Sequence, residues 1–75
     1  MDAFVLVGYC SATTLALMIR DALERAESDR ADKTRRNARQ IVFLAHNALI
    51  EIAGSATNDT LRLAGVDPDR IDALV

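Results

Sequence analysis

The feature that most constrains this chain is the stretch at residues 38–53, ARQIVFLAHNALIEIA. At about 3.6 residues per turn, its apolar residues fall on one broad helical face, while Arg39, Gln40, Asn47 and Glu51 lie towards the other side. An apolar helical face has to be covered by the rest of the chain or by a partner. The residues predicted on that face are Ala38, Ile41, Val42, Ala45, Ala48, Leu49, Ile52 and Ala53.

A chain of 75 residues forms one domain at most, and a domain of this size buries a modest fraction of its surface. Half of the residues are apolar (51%) and about a quarter are charged (27%), so we expect a folded globular chain. Cys10 is the only cysteine and His46 the only histidine, which argues against an internal disulfide and a zinc site. We therefore expect no cofactor, and stabilisation by a partner chain.

A first long helix is predicted to start at Ala3 or Ala12 and to run to Ser28, and a second from Lys33 to Ala53. The first is amphipathic from Ala12, because apolar residues recur at helical spacing as far as Ala26. If this helix continued straight on, the apolar stripe that starts at Ala38 would face away from the stripe that ends at Ala26. The residues between the two stripes turn the helix by about 120° beyond full turns. A turn between residues 28 and 34 lets the two stripes meet in an antiparallel hairpin. The predicted N-cap of the second helix is Asp29, Asp32 or Thr34, although no glycine or proline there compels a break.

The C-terminal third predicts two short helices. Gly54 ends the second long helix, a short helix follows at residues 59–64, and Gly65 terminates it. Asp67 and Pro68 suit the N-cap and first position of a last helix at residues 68–74. The predicted fold is therefore all-α: a small helical bundle built on an antiparallel two-helix hairpin plus two short C-terminal helices, in one domain over residues 1–75.

Residues 3–19 carry no charge, and the length of this uncharged stretch is at the lower limit for a membrane-spanning helix. Their centre is mildly polar, whereas a spanning helix is normally most apolar there, so a buried segment of a protein without a membrane anchor is favoured. The central residues are Gly8, Tyr9, Cys10, Ser11, Thr13 and Thr14. A short strand at residues 4–9 is the alternative to a helix there, since β-branched and aromatic residues are concentrated in it. This apolar end predicts a homodimer, with its interface at Phe4, Val5, Leu6 and Val7.

A basic cluster lies between the two long predicted helices, and it is the one candidate binding site with a charge signature. A solvated turn is the simplest interpretation, docking to an acidic protein surface is the second, and nucleic-acid binding is the third. The net charge of −2 does not favour general attraction to nucleic acid. The residues of the cluster are Arg30, Lys33, Arg35, Arg36 and Arg39.

Residues 61–75, LRLAGVDPDRIDALV, resemble in their spacing the turn and second helix of helix-turn-helix proteins. In a DNA reader this second helix would approach phosphates. Here its start carries Asp67, Asp69 and Asp72, opposed only by Arg70, and carboxylates are repelled by phosphates. We therefore interpret the segment as the same turn geometry used for packing.

Catalytic candidates are few, since Cys10 and His46 are the one conceivable nucleophile and base, and both have apolar neighbours. The composition favours a non-enzymatic protein-binding module, an adaptor or an inhibitor of a larger assembly. Inhibitors that phages or mobile elements direct against nucleic-acid machinery are one such class. The alternatives are a nucleic-acid-binding regulator and a small membrane-anchored subunit. One unpaired cysteine and no secretory signal predict a cytoplasmic location.

Overall fold

The computed structural model describes residues 11–74, and over this range every regular element is helical. Helix α1 spans Ala12–Ser28 and α2 spans Asp32–Ala53; a 3₁₀ turn at Gly54–Ala56 leads into α3 at Thr57–Leu63, and α4 spans Pro68–Leu74. The all-α prediction is confirmed for these residues. The predicted strand alternative at residues 4–9 lies outside the described residues.

Helix α1 begins at a hydroxyl cap, Ser11. Ser11 has an extended backbone, and its Oγ accepts a hydrogen bond from the backbone N–H of Thr14 at 3.2 Å. The Thr14 hydroxyl lies 2.9 Å from the same Oγ. These contacts satisfy one of the N–H groups that a helix leaves unpaired at its start, so the register of α1 is set by local chemistry.

Asp29 organises the connection between α1 and α2. Its backbone N–H donates to Arg25 O at 2.9 Å and closes α1. Its carboxylate accepts from Ala31 N at 3.0 Å and from the Thr34 hydroxyl at 2.7 Å. The N-cap of α2 is Ala31, which offers no side-chain bond, so the prediction of Asp29, Asp32 or Thr34 as N-cap is wrong. Asp29 acts from two residues before the N-cap, because one of its oxygens accepts from the N-cap residue itself and the other from Thr34 in the first turn of α2.

Gly65 ends α3 in a Schellman motif. Its φ is +87°, its N–H donates to Arg62 O at 3.0 Å, and the N–H of Val66 donates to Leu61 O at 2.9 Å. Val66 and Leu61 are both buried, which supplies the apolar contact that accompanies this motif. Asp67 then accepts from the N–H of Asp69 at 3.0 Å and caps α4, as predicted.

One apolar core joins all four α-helices. The predicted stripe of α2 is buried in its middle, where Val42, Ala45 and Leu49 are fully enclosed. Ile52, predicted on the same face, is 55% exposed, so the prediction is wrong at the last turn of α2. The buried residues are Leu15, Ala16, Ile19, Ala22, Leu23, Ala26, Ala38, Val42, Ala45, Leu49, Leu61, Val66, Ile71 and Leu74.

Three arginines connect the short C-terminal helices to the long ones. Arg20 of α1 donates to Ala64 O at 3.3 Å, and Arg39 of α2 donates through Nε to Leu74 O at 3.1 Å. Arg70 of α4 pairs with Glu27 of α1 at 2.9 Å. Two of these bonds are made to backbone carbonyls near helix C-termini, where the helix dipole favours a cation. These three contacts therefore hold α3 and α4 in position against the long helices, and they determine which parts of α3 and α4 lie beside the basic cluster.

Candidate functional site

The structure distributes the predicted basic cluster over three environments. Lys33 and Arg36 are exposed on α2 and form no ion pair with any residue between 11 and 74. Arg39 is committed to the Leu74 carbonyl. Arg30, on the connection, and Arg35, on the first turns of α2, line a separate cleft. The five cations therefore do not form one continuous face.

The cleft has a volume of about 240 Å³ and lies where the end of α1, the start of α2 and the last helix meet. Its polar lining is Arg30, Arg35, Arg70 and Glu27, and its apolar lining is Leu23, Ala26, Ala73 and Leu74. Sequence reasoning counted Arg70 only as a neighbour of aspartates. Folding brings it beside residues about forty positions earlier in the chain, and no local pattern indicates such an encounter.

Arg35 is the most constrained member of this cleft. Its side chain is half-buried, and its Nε is inaccessible to solvent and has no hydrogen-bond acceptor among residues 11–74. A buried donor without an acceptor loses its hydration without compensation, and the loss is larger for a charged group. The Arg35 guanidinium is therefore held in the cleft wall with unused hydrogen-bonding capacity.

A second surface feature is the outward side of α2. Phe43 is 61% exposed and Ile50, seven residues later and so on the same side of the helix, is 45% exposed. Asn47 lies between them and is exposed, and Arg36 precedes them by two turns. An aromatic and an aliphatic side chain spaced in this way on a rigid helix are typical anchors for a protein partner. Sequence periodicity assigned neither residue to the buried face.

The remaining predictions concern the catalytic candidates, a metal site, a membrane-spanning helix and the dimer interface. His46 is half-buried in α2, and Cys10 lies outside the described residues. Between residues 11 and 74 no group of three or more metal-ligating side chains comes together. No helix in that same range is long and apolar enough to cross a membrane. The predicted dimer residues Phe4, Val5, Leu6 and Val7 are not among the residues described.

The segment that resembles a helix-turn-helix forms two short helices with a glycine turn. Its apolar residues Leu61, Val66, Ile71 and Leu74 are all buried in the core. Arg70, the one cation at the start of α4, is paired with Glu27. The segment therefore packs against the long helices.

Another cleft, of about 330 Å³, lies on the α1–α2 side that includes Ala22, Ala38 and Ile41. Its polar lining includes Asp29 and Thr34, which are bonded to each other in the connection. Arg25, also in its wall, is paired with Asp21 one turn earlier in α1. These polar groups already have partners within the chain.

Comparison of this chain with protein families, with curated proteins and with solved structures found no match.

Proposed function

We propose that this protein is a non-enzymatic binding module that acts as an adaptor or an inhibitor by occupying a surface of a larger assembly. The observation that carries the proposal is the exposed pair Phe43 and Ile50 on α2, the longest helix. Exposed apolar side chains that share one side of a rigid helix lose little conformational freedom on binding, so they are effective contacts for a groove on a partner.

The charges around this pair support a protein as the partner. Arg36 and Lys33 precede Phe43 on the same helix and are free of ion pairs among residues 11–74, so they can pair with carboxylates at the rim of an interface. Nucleic-acid binding would use the same cations. It gains less support, since Arg39 is committed elsewhere and no exposed aromatic between residues 11 and 74 lies beside Arg30.

The test is capture of a partner with wild-type protein and with two single variants. Phe43→Ser removes the proposed anchor, and Leu63→Ser is the matched control, because Leu63 is 91% exposed on a different helix, α3. We expect Phe43→Ser to weaken the complex about 30-fold, the effect of losing a hot-spot contact of about 2 kcal/mol, and Leu63→Ser to leave it unchanged.

Equal loss in both variants, or full retention in Phe43→Ser, would show that α2 is not the binding surface. Failure of the wild-type chain to form a stoichiometric complex with any protein would refute the module itself. Preferential recovery of nucleic acid, with affinity that falls steeply as salt is raised, would favour the regulator alternative.

Two finer features belong to the same proposal. The long helices form an antiparallel hairpin, supported by the three-residue connection at 29–31 and by the core that both helices share. The chain is a homodimer in the cytoplasm, supported by its apolar N-terminal residues and its single cysteine. Light scattering of wild type and of Leu6→Glu tests the dimer: we expect twice the monomer mass for wild type only, and a monomeric wild type would refute it.

A further inference from the structure

We propose that the cleft lined by Arg30, Arg35 and Arg70 binds the carboxylate of an acidic segment of the protein partner. The inference rests on the proposed function for the origin of that segment, since it names the chemistry of the partner. The cleft itself can be tested with a synthetic peptide. Its surface is separate from Phe43 and Ile50, neither of which lines it.

The charge of the cleft is opposite to that of the whole chain. Its lining holds three guanidinium groups and one carboxylate, that of Glu27, which leaves +2, whereas the 75 residues together carry −2. A local positive concavity in an acidic protein attracts an anion to one place. Guanidinium groups match a carboxylate in geometry, because each can donate two parallel hydrogen bonds to it.

Arg35 is the residue that most favours anion binding in the cleft. Its Nε is shielded from solvent without an acceptor, so part of its hydration is already lost in the unbound protein. An incoming carboxylate that pairs with the guanidinium adds charge compensation, while the desolvation cost has partly been met in folding. Arg70 is paired with Glu27, and Arg30 is exposed to water. Arg35 is therefore the arginine of the cleft whose hydrogen-bonding capacity is least satisfied.

The apolar wall distinguishes a protein carboxylate from a phosphate chain. Leu23, Ala26, Ala73 and Leu74 line the cleft beside the arginines. The methylene groups of a glutamate, or an apolar residue next to it, can cover this wall while the carboxylate meets Arg35. A nucleic acid presents charged phosphates along its whole length and would meet the exposed Asp69 and Asp72 of α4. A short acidic segment avoids them.

The probe is a short peptide of alternating glutamate and leucine, compared with its glutamine counterpart. Chemical shifts of backbone amides in the ¹⁵N-labelled full chain report both affinity and location. We expect the glutamate peptide to shift the amides of Arg30, Arg35 and Ala73, with Phe43 unaffected, and the glutamine peptide to shift none of them. No shift in the cleft at millimolar glutamate peptide would overturn the proposal.

Three variants make the test sharper. Arg35→Gln should weaken the glutamate peptide about tenfold, as expected for loss of one charge-assisted pair. Arg62→Gln is the matched control: it removes the same charge from an exposed arginine that pairs with Asp59 outside the cleft, and should change nothing. Glu27→Gln removes the competing carboxylate and should tighten binding severalfold, a gain that a misfolded variant cannot produce.

Equal weakening by Arg35→Gln and Arg62→Gln would reduce the effect to net charge and overturn the proposal. So would weaker binding in Glu27→Gln, or an oligothymidylate that binds the cleft more tightly than the peptide. The outcome is separable from that of the proposed function. Partner capture that depends on Phe43 while the cleft binds no peptide would leave the module intact and refute only the cleft.

Discussion

At the scale of single residues, Asp29 shows how one polar side chain can perform several local tasks. It closes α1 through its N–H and stabilises the start of α2 through its carboxylate. The hydrogen bond from the Thr34 hydroxyl, and then that from the Ala31 N–H, lower the pKa of Asp29 below its ordinary value. Both bonds favour the ionised form, so ionisation of Asp29 and folding are coupled.

The sign of this coupling predicts a loss of stability in acid. A carboxylate with a lowered pKa in the folded state contributes fully above its unfolded pKa of about 3.9, and the contribution is lost as pH falls through the lower folded value. Asp29→Asn should therefore unfold at lower urea concentration than wild type at neutral pH, and the difference should shrink as the pH falls below the unfolded pKa. Urea titrations followed by circular dichroism measure it.

The control for this prediction is Glu24→Gln, which removes an exposed carboxylate of α1 that makes no ion pair with any residue from 11 to 74. Its acid dependence should match that of wild type. A wild-type protein whose stability in acid parallels that of Asp29→Asn would show that the carboxylate does not couple to folding.

At the scale of elements, the helix ends are set by short-range chemistry that differs from one end to the next. Gly54, predicted as a left-handed terminator, does have a positive φ of 53°, but its ψ of −121° directs the chain into the 3₁₀ turn. Gly65 instead completes a Schellman motif with Val66. The second geometry fixes the orientation of α4, because Val66 and Asp67 follow directly from it.

Gly65→Ala should destabilise the protein through its backbone. At a φ of +87° an alanine is strained, and the expected cost is about 1–2 kcal/mol in the free energy of unfolding. Space does not limit the substitution, because an added Cβ would lie 4.0 Å from Arg20 Cδ, an ordinary contact.

Urea denaturation of Gly65→Ala beside Ser55→Ala measures this cost. Ser55 is exposed in the 3₁₀ turn and its φ is not positive, so its substitution should change stability by less than about 0.5 kcal/mol. A stability of Gly65→Ala equal to that of wild type would contradict the role given to the left-handed conformation.

At the scale of the whole molecule, the helices surround a core made largely of alanine and leucine. Alanines at positions 16, 22, 26, 38 and 45 are all buried, so α1 and α2 can approach closely, and Leu15, Leu49 and Leu61 fill the remaining space. The arginine bonds to Ala64 O and Leu74 O then hold the short helices on the long ones. The clefts and the exposed side of α2 result from this arrangement.

The proposed hairpin predicts a short distance between the start of α1 and the end of α2. Nitroxide labels at the exposed positions 13 and 51, with Cys10→Ser to prevent extra labelling, should lie much closer than on one continuous helix. A rod would separate them by about 57 Å at 1.5 Å per residue, whereas packed helix axes are about 8–10 Å apart. Pulsed electron–electron double resonance measures the distance between the two labels.

Singly labelled variants provide the control, because any distance they show arises between molecules of a dimer. Dilution with unlabelled protein removes that contribution and leaves the distance within one chain. A dominant distance near the value for a rod would refute the hairpin and the proposal built on it.

Much of this fold followed from the sequence, since local patterns carry local information. The helical class, the end of α1 near Ser28, the stop at Gly65 and the start of α4 at Asp67 and Pro68 were all predictable. Each depends on residues within about four positions of one another, where backbone hydrogen bonding and side-chain capping decide the outcome. The sequence also identified the cations that a binding site could use.

Only the tertiary structure decided how those cations are used. Arg70 meets Glu27 across 43 positions, Arg39 meets the carbonyl of Leu74, and half-buried Arg35 has an Nε that is shielded from solvent without an acceptor in the described part of the chain. Periodicity predicted Ile52 on the covered face, yet the packing of the helices leaves it exposed. Helical periodicity defines which residues share a face of a helix, and the sequence shows this directly. Burial of that face depends on where distant elements pack, so it follows only from the tertiary structure.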